Sequence, residues 1–317
     1  MRVKALLALA AVLAAVSASL SISQAPAKQA RPNAQCSLTS TGLIPLTDMG
    51  NRRYRGYRGY RGGLYPGALN RPSAKYLKKG MTASRQVRPI NGKIVVLSVG
   101  MSNASAEFSA FKRASDRDDQ RNTNVVVVDG AQNGFDASNV NSRAVYWDNI
   151  DSRLAEAGVS ASQVQVVWLK EAIAGEHRRF PKDAKALQTS LRKIINTMRF
   201  RYPKLRLVYL SSRTYGGYAI TGWNPEPAAY DSGFAVRGVI QDRISGKLKG
   251  PWVGWGPYLW TDGLAGRSDG LQWMCDDVET DGTHPSPSGV QKVVNLLTTF
   301  FKTDPTAKRW YLARAHS

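Results

Sequence analysis

The stretch Ile94-Val95-Val96-Leu97-Ser98-Val99-Gly100-Met101-Ser102-Asn103 decides how the chain is read. Residues 94–99 form a short apolar run rich in β-branched side chains, the pattern of a strand covered on both faces. The run passes into a glycine and then polar residues, where a helix is expected from about Ala104. Three further runs repeat the first part: 124–129, with four consecutive valines, 164–169 and 205–210. Between and after them the apolar spacing changes to that of a helix. Ala184, Leu187, Leu191, Ile194, Ile195 and Met198 keep a period near 3.6, as do Val290, Val293, Val294, Leu297, Phe300 and Phe301. Ala144, Trp147, Ile150, Leu154 and Ala157 fit a third helix less cleanly. Buried strands alternating with amphipathic helices imply an α/β fold: a three-layer α/β/α sandwich around a mostly parallel, flavodoxin-like sheet. In such folds the site lies at the carboxyl ends of the strands.

Composition narrows the chemistry. The chain has 317 residues, with 43% hydrophobic and 21% charged, which suits about one to two globular domains and excludes a collagen, a coiled coil or a mostly disordered chain. Two cysteines and three histidines are too few for a four-cysteine zinc site or a histidine-rich metal centre. The charge is unusual: 44 Lys and Arg against 23 Asp and Glu leave +21, which attracts polyanions. Eleven of the basic residues and none of the acidic ones fall between Asn51 and Ile90. That stretch holds three consecutive Tyr-Arg-Gly steps, and Arg55, Arg58 and Arg61 are the candidate contacts for an acidic polymer. Followed by the turn-rich Gly63-Leu64-Tyr65-Pro66-Gly67, the stretch is expected to have little regular structure.

At the N-terminus, Arg2 and Lys4 precede an apolar run and then small residues, the organisation of a secretory signal peptide. The expected layout is a signal over 1–25 with cleavage between 18 and 30, a basic extension over 26–92 and a catalytic domain over 93–317. The apolar run is shorter than the roughly 20 residues that span a bilayer, so a secreted or periplasmic protein without a transmembrane segment is expected. An oxidising compartment permits a disulfide, and Cys36 and Cys275 are the two cysteines that can form it.

Ser102, at a strand-to-helix turn, lies beside free backbone N–H groups and a helix dipole that favour a developing oxyanion. A serine there is also a common helix cap. A nucleophilic serine needs a base and the base an orienting carboxylate. Asp281-Gly282-Thr283-His284-Pro285-Ser286, before the last helix, supplies both. His177 sits among charged residues and His316 in a terminal tail, which leaves His284 as the base and Asp281 as its partner.

These blocks resemble the SGNH/GDSL hydrolase superfamily over about residues 93–302. The resemblance implies an SGNH-like fold, Ser102 as nucleophile, His284 as base and Asp281 as its partner. It assigns an oxyanion N–H to Ser102 and another to a glycine after the second strand. Gly134 is the best match for that glycine and Gly130 the alternative. The aspartate that usually precedes the family serine is Met101 here. The family's Asn-containing third block is replaced by Lys170-Glu171-Ala172, in which Lys170 is the residue able to donate to an oxyanion or a substrate carbonyl. The segment 44–70 resembles an N-terminal extension of exported members of the superfamily, which implies that it packs on the domain.

Other strand-end residues complete the expected site. Arg213 and Tyr215, in the polar and glycine-containing 211–218, are expected to contact substrate. Trp252, Trp255, Tyr258, Trp260 and Trp273 suit either a cleft for sugars and acyl chains or a core. The acidic group at 276–281 matches no calcium loop by spacing, and neither metal nor organic cofactor is expected. The expected activity is hydrolysis of carboxylic esters, with acetyl esters of a polysaccharide as first substrate. The alternative is a non-catalytic cell-surface binder of acidic polymers.

Overall fold

The computed structural model describes residues 34–175, 179–223 and 225–313. The expected signal peptide, His177 and His316 lie outside them. A short helix α1 (Leu46–Met49) and a longer helix α2 (Ala74–Gln86) precede the first strand. The chain then alternates: β1 (Ile94–Gly100), α3 (Ser102–Asp116), β2 (Val125–Val128), α4 (Ala144–Glu156), β3 (Val164–Lys170), α5 (Lys182–Arg201), β4 (Leu207–Leu210), α6 (Ala228–Ile244) and β5 (Trp252–Trp255). Helices α7 (Pro287–Thr303) and α8 (Lys308–Tyr311) follow.

All five strands are parallel, in the order β2-β1-β3-β4-β5. This is the flavodoxin-like order of a doubly wound sheet, whose direction of growth reverses between β1 and β3. Helix α3 packs with α7, and α5 with α6. Right-handed crossovers place helices on opposite faces when the chain steps in opposite directions along the sheet, so both faces are covered. Every residue of β1 and β3 is buried, as continuous apolar runs require.

Four strands and the four helices α3, α4, α5 and α7 follow the sequence pattern, whereas β5, α6 and α2 are among the elements that do not. Strand β5 is a short Trp-Val-Gly-Trp segment without an aliphatic run. Helix α6 is buried over most of its length, so it has no polar stripe to mark its period. Helix α2 interrupts the basic stretch that composition read as irregular. Ser73 caps it by accepting from the Tyr76 N–H at 3.3 Å. Gly80 lets it approach the sheet, because a Cβ there would lie 2.7 Å from the Trp252 ring.

Residues 34–92 form one unit with the sheet domain. Tyr54 is buried against Phe180, Tyr230 and Phe234, with ring centroids at 4.8, 5.0 and 5.3 Å. The Arg237 guanidinium beneath this segment donates to the carbonyls of Gly59, Arg61, Gly62 and Gly63. Arg55, Arg58 and Arg61 are exposed. The Tyr-Arg-Gly steps thus bury Tyr54 and part of Tyr60 and leave their guanidinium groups to solvent. Asp262 binds the start of the described chain, accepting from the Ser40 and Thr41 hydroxyls at 2.5 and 2.7 Å and from the Gly42 N–H at 3.0 Å. Cys36 and Cys275 form a disulfide across a separation of 239 residues.

Replacing both cysteines by alanine is expected to lower stability by about 4–5 kcal/mol on the chain-entropy model for so long a loop. Urea denaturation of the double variant measures the loss, and a non-reducing digest should show the linked peptides in the parent protein. Equal midpoints, or freely alkylated thiols in native protein, would remove the disulfide from the fold's support.

Candidate active site

Strand β1 ends at Gly100, whose N–H donates to the Tyr146 hydroxyl at 3.0 Å; that hydroxyl donates back to the Gly100 carbonyl at 3.2 Å. Met101 is the cap residue and Ser102 the first residue of α3. The helix therefore starts two residues earlier than the sequence suggests. Ser102 is not the cap: its hydroxyl turns to the opposite end of the chain. Ser102 Oγ lies 2.9 Å from His284 Nε2, and His284 Nδ1 lies 2.5 Å from Asp281 Oδ2. The other Asp281 oxygen accepts from the backbone N–H groups of Thr283 and His284 at 2.8 and 2.9 Å. Asn103, almost fully buried, ties the two halves of the site by donating from Nδ2 to the Thr283 carbonyl at 2.8 Å.

Burial works against ionising Asp281. The hydrogen bonds from the His284 ring and from the backbone N–H groups of His284 and Thr283 outweigh it and hold the carboxyl below the usual carboxylate range. An ionised Asp281 accepting at Nδ1 keeps a proton on that nitrogen and leaves Nε2 free to accept from Ser102.

These residues open into a cleft of about 370 Å³ at the carboxyl end of the sheet. One wall is the loop after β2, including Asn133, Gly134, Phe135, Asp136 and Asn139. Gly134 has a φ of +77°, a conformation that a side chain would strain. The N–H of Gly130, the alternative glycine, is spent on Ser98 Oγ at 3.0 Å. Asp136 fastens this loop to the segment after β3 by accepting from the Ala174 N–H at 2.8 Å. Asn139 Oδ1 accepts from the Asp136 N–H at 3.0 Å.

Three expected substrate contacts are corrected. Lys170, Arg213 and Tyr215 are all buried, and none lines the cleft. Lys170 Nζ points into the protein and bonds both Glu107 oxygens, at 2.5 and 2.6 Å. Burial lowers its ammonium pKa to about 8 against the pull of Glu107, with Arg213 pushing the same way as burial. Neighbouring Glu171 is held well above the usual carboxylate range by burial first and then by Asp136. The Tyr215 hydroxyl donates to the Leu38 carbonyl at 2.8 Å. The five aromatics at 252–273 are likewise core, not cleft. Of the acidic group, Asp277 pairs with Lys292 at 2.5 Å and Asp281 serves His284.

The structure adds residues that the sequence did not single out. Trp223, 47% exposed, stands at the cleft with its ring centroid 5.7 Å from that of His284. With Phe135, Met101 and Ala174 it makes much of the lining apolar. Asn133 and Asn139, in the loop after β2, also line the cleft. A tryptophan followed by a polar loop, or an asparagine after a strand, has no spacing signature that would have marked them.

No family model matches the chain, and no curated protein matches it. Several solved structures are similar to it in arrangement. An extracellular lipase from Streptomyces rimosus shares 14% identity over 65% of this chain and 99% of its own, with a TM-score of 0.35. The periplasmic domain of a Salmonella ser. Paratyphi A lipopolysaccharide acetyltransferase shares 14% over 72% and 88%, with a TM-score of 0.37. A carbohydrate esterase, whose active site displays divergent catalytic and non-catalytic binding functions, shares 11% over 69% and 68%, with a TM-score of 0.40. Likeness at this level carries no argument about activity. The fold class rests on the parallel sheet and its order, which agree with the expected flavodoxin-like arrangement.

The depressed Asp281 carboxyl has a pH signature. A group whose folded pKa lies below its unfolded value, about 3.9 for aspartate, stabilises the fold fully above that value. The contribution is lost as pH falls through the folded value. Asp281→Asn is therefore expected to lose less stability than the parent on acidification below about pH 4. Urea midpoints across that range measure it, and parallel acid profiles would show that Asp281 gains nothing from its bonds.

Proposed function

We propose that the chain is a serine hydrolase acting on carboxylic esters, with Ser102, His284 and Asp281 as its catalytic residues. The observation that carries this reading is the continuous relay from Asp281 through His284 to Ser102, at 2.5 and 2.9 Å, beside an open cleft at the carboxyl end of the sheet.

The geometry supports the following sequence. As Ser102 Oγ attacks the ester carbonyl carbon, its proton passes to His284 Nε2. The carbonyl π pair moves to oxygen, and the resulting oxyanion is held by the N–H groups of Ser102, at the start of α3, and of Gly134. Asn133 and Asn139 are the candidates for a third donor. Collapse of the intermediate breaks the C–O bond, and His284 returns the proton to the leaving alcohol. Water then attacks the acyl-serine with His284 again as base, releasing the acid and restoring the serine. Asp281 stays ionised and stabilises the imidazolium. Neither metal nor organic cofactor takes part in these steps.

The substrate proposed is an acetyl ester on a polysaccharide. The exposed Trp223 face at the cleft supports it, because an indole beside the nucleophile gives a sugar ring a surface to pack on. A second reading draws on the exposed Arg55, Arg58 and Arg61: they hold the protein on an acidic polymer. On the hydrolase reading they concentrate the enzyme and take no part in bond breaking. On a pure binder reading they are the function. The secreted or periplasmic location, and the signal peptide behind it, belong to the same proposal.

Ser102→Ala should lower turnover of an aryl acetate by on the order of 10⁴–10⁶-fold and abolish labelling by a fluorophosphonate probe, with circular dichroism unchanged. Labelling that persists in a folded Ser102→Ala protein would move the chemistry elsewhere. The arginine segment is tested separately. Changing Arg55, Arg58 and Arg61 to Gln should lower the salt needed to elute the protein from heparin and leave neutral-ester turnover as it was. No turnover and no labelling in the parent, together with heparin retention lost in the triple variant, would leave the binder reading standing.

A further inference from the structure

At the amino ends of β4 and β5 lies a second groove, of about 440 Å³. It belongs to the opposite end of the sheet from Ser102, and β4 alone, with four residues, separates the two ends by roughly 13 Å. Four cations line it, Lys79, Arg199, Arg206 and Arg243, and no described carboxylate does. The ordinary role of basic residues here is to complement helix C-termini, since α5 and α6 both end beside the groove. Arg243 is occupied by the loop before β5, donating to the carbonyls of Pro251 and Gly250 at 2.7 and 2.9 Å. Helix C-termini do not account for Lys79 or Arg206, whose side chains have no hydrogen-bond or ion-pair partner among the described residues. Lys79 lies on α2, which carries no acidic residue at all.

The same end of the molecule carries an exposed aromatic. Phe200, in the last turn of α5, is 74% exposed, the most exposed large hydrophobic residue described, and Ile244, the last residue of α6, is 37% exposed. Each directly follows a groove arginine, and the Arg199 guanidinium covers one face of the Phe200 ring at 4.7 Å. Lys204, Lys247 and Lys249 are exposed around them. A soluble acidic polymer would use the cations and leave both apolar side chains in water. A single-stranded nucleic acid would need aromatic faces in the groove, but the groove rings of Tyr76, Tyr202 and Trp252 are buried. An anionic lipid surface uses both features, because apolar side chains enter the acyl boundary while cations meet the headgroups.

We propose that this end of the protein binds an anionic membrane surface through Lys79, Arg206 and Phe200. Ser102 then faces away from the bilayer, and the bound lipid serves as an anchor. This proposal does not depend on the hydrolase reading.

Sedimentation with vesicles of phosphatidylglycerol and phosphatidylcholine tests it, with pure phosphatidylcholine vesicles and soluble heparin as the other arms. The protein should sediment with the anionic vesicles and not with the neutral ones. Lys79→Gln with Arg206→Gln should weaken partitioning by about thirtyfold, as for two cations near an anionic surface. Phe200→Ala should weaken it by about tenfold and leave heparin elution unchanged. Neutral-ester turnover should be the same in all variants. Absence of sedimentation with anionic vesicles overturns the proposal. So does a Phe200→Ala protein that partitions like the parent, which would make the groove a site for soluble polyanions.

Discussion

Strand β1 is paired on both edges, to β2 and to β3, and all seven of its residues are buried. The rest of the site depends on that constraint. A strand paired on both edges and packed on both faces is held on every side, with one shift of register against β3 between Val95 and Val96. Its carboxyl end is therefore at a defined place, and the Tyr146 hydroxyl holds Gly100, its last residue, at both N–H and carbonyl. Ser102 comes two residues later, already helical. Asp129 secures the helix by accepting from the hydroxyls of Ser98 at 2.5 Å and of Ser105 and Ser109 at 2.7 Å. The position of Ser102 is set by the sheet, not by the loop that contains it.

The layer behind the site is unusually charged. Glu107 on α3 and Lys170 at the end of β3 are fully buried and paired, with Glu171 and Arg213 close by in the same interior. Burying an ion pair seldom improves on apolar packing, whereas removing one partner leaves an uncompensated charge. The pair also fixes which way Lys170 points. The residue after the third strand, where an oxyanion donor was expected, has its side chain turned inward to Glu107. The asparagines that line the cleft outside α3 come from the loop after β2, Asn133 and Asn139.

The basic excess is distributed by the fold rather than spread over it. In the Tyr-Arg-Gly segment the aromatic core takes Tyr54 and part of Tyr60, Arg237 satisfies the turn carbonyls, and the remaining guanidiniums face water. Around α2 the close approach permitted by Gly80 brings a lysine-rich helix against the start of β5. The same composition that predicts attraction to polyanions is thus sorted into separate surfaces, each with its own neighbours.

Much of this was legible beforehand. Four strands, four helices, the serine after the first strand and the Asp-x-x-His block are all written in spacings of a few residues, which is what a sequence records directly. The pairing of Cys36 with Cys275 followed because the chain has no other cysteine. What was not legible depends on tertiary neighbours. Helix α6 has no polar face to betray its period, and β5 is too short and aromatic to look like its partners. The direction of Lys170, the burial of Arg213 and Tyr215, and the presence of Trp223 beside His284 leave no periodic trace. Ser102 and His284 are 182 residues apart in sequence. The chain determined which groups are chemically able to form a relay. Only the packing of β1, α3 and the loop before α7 decided that they meet, because hydrogen bonds require convergence in space and composition specifies none.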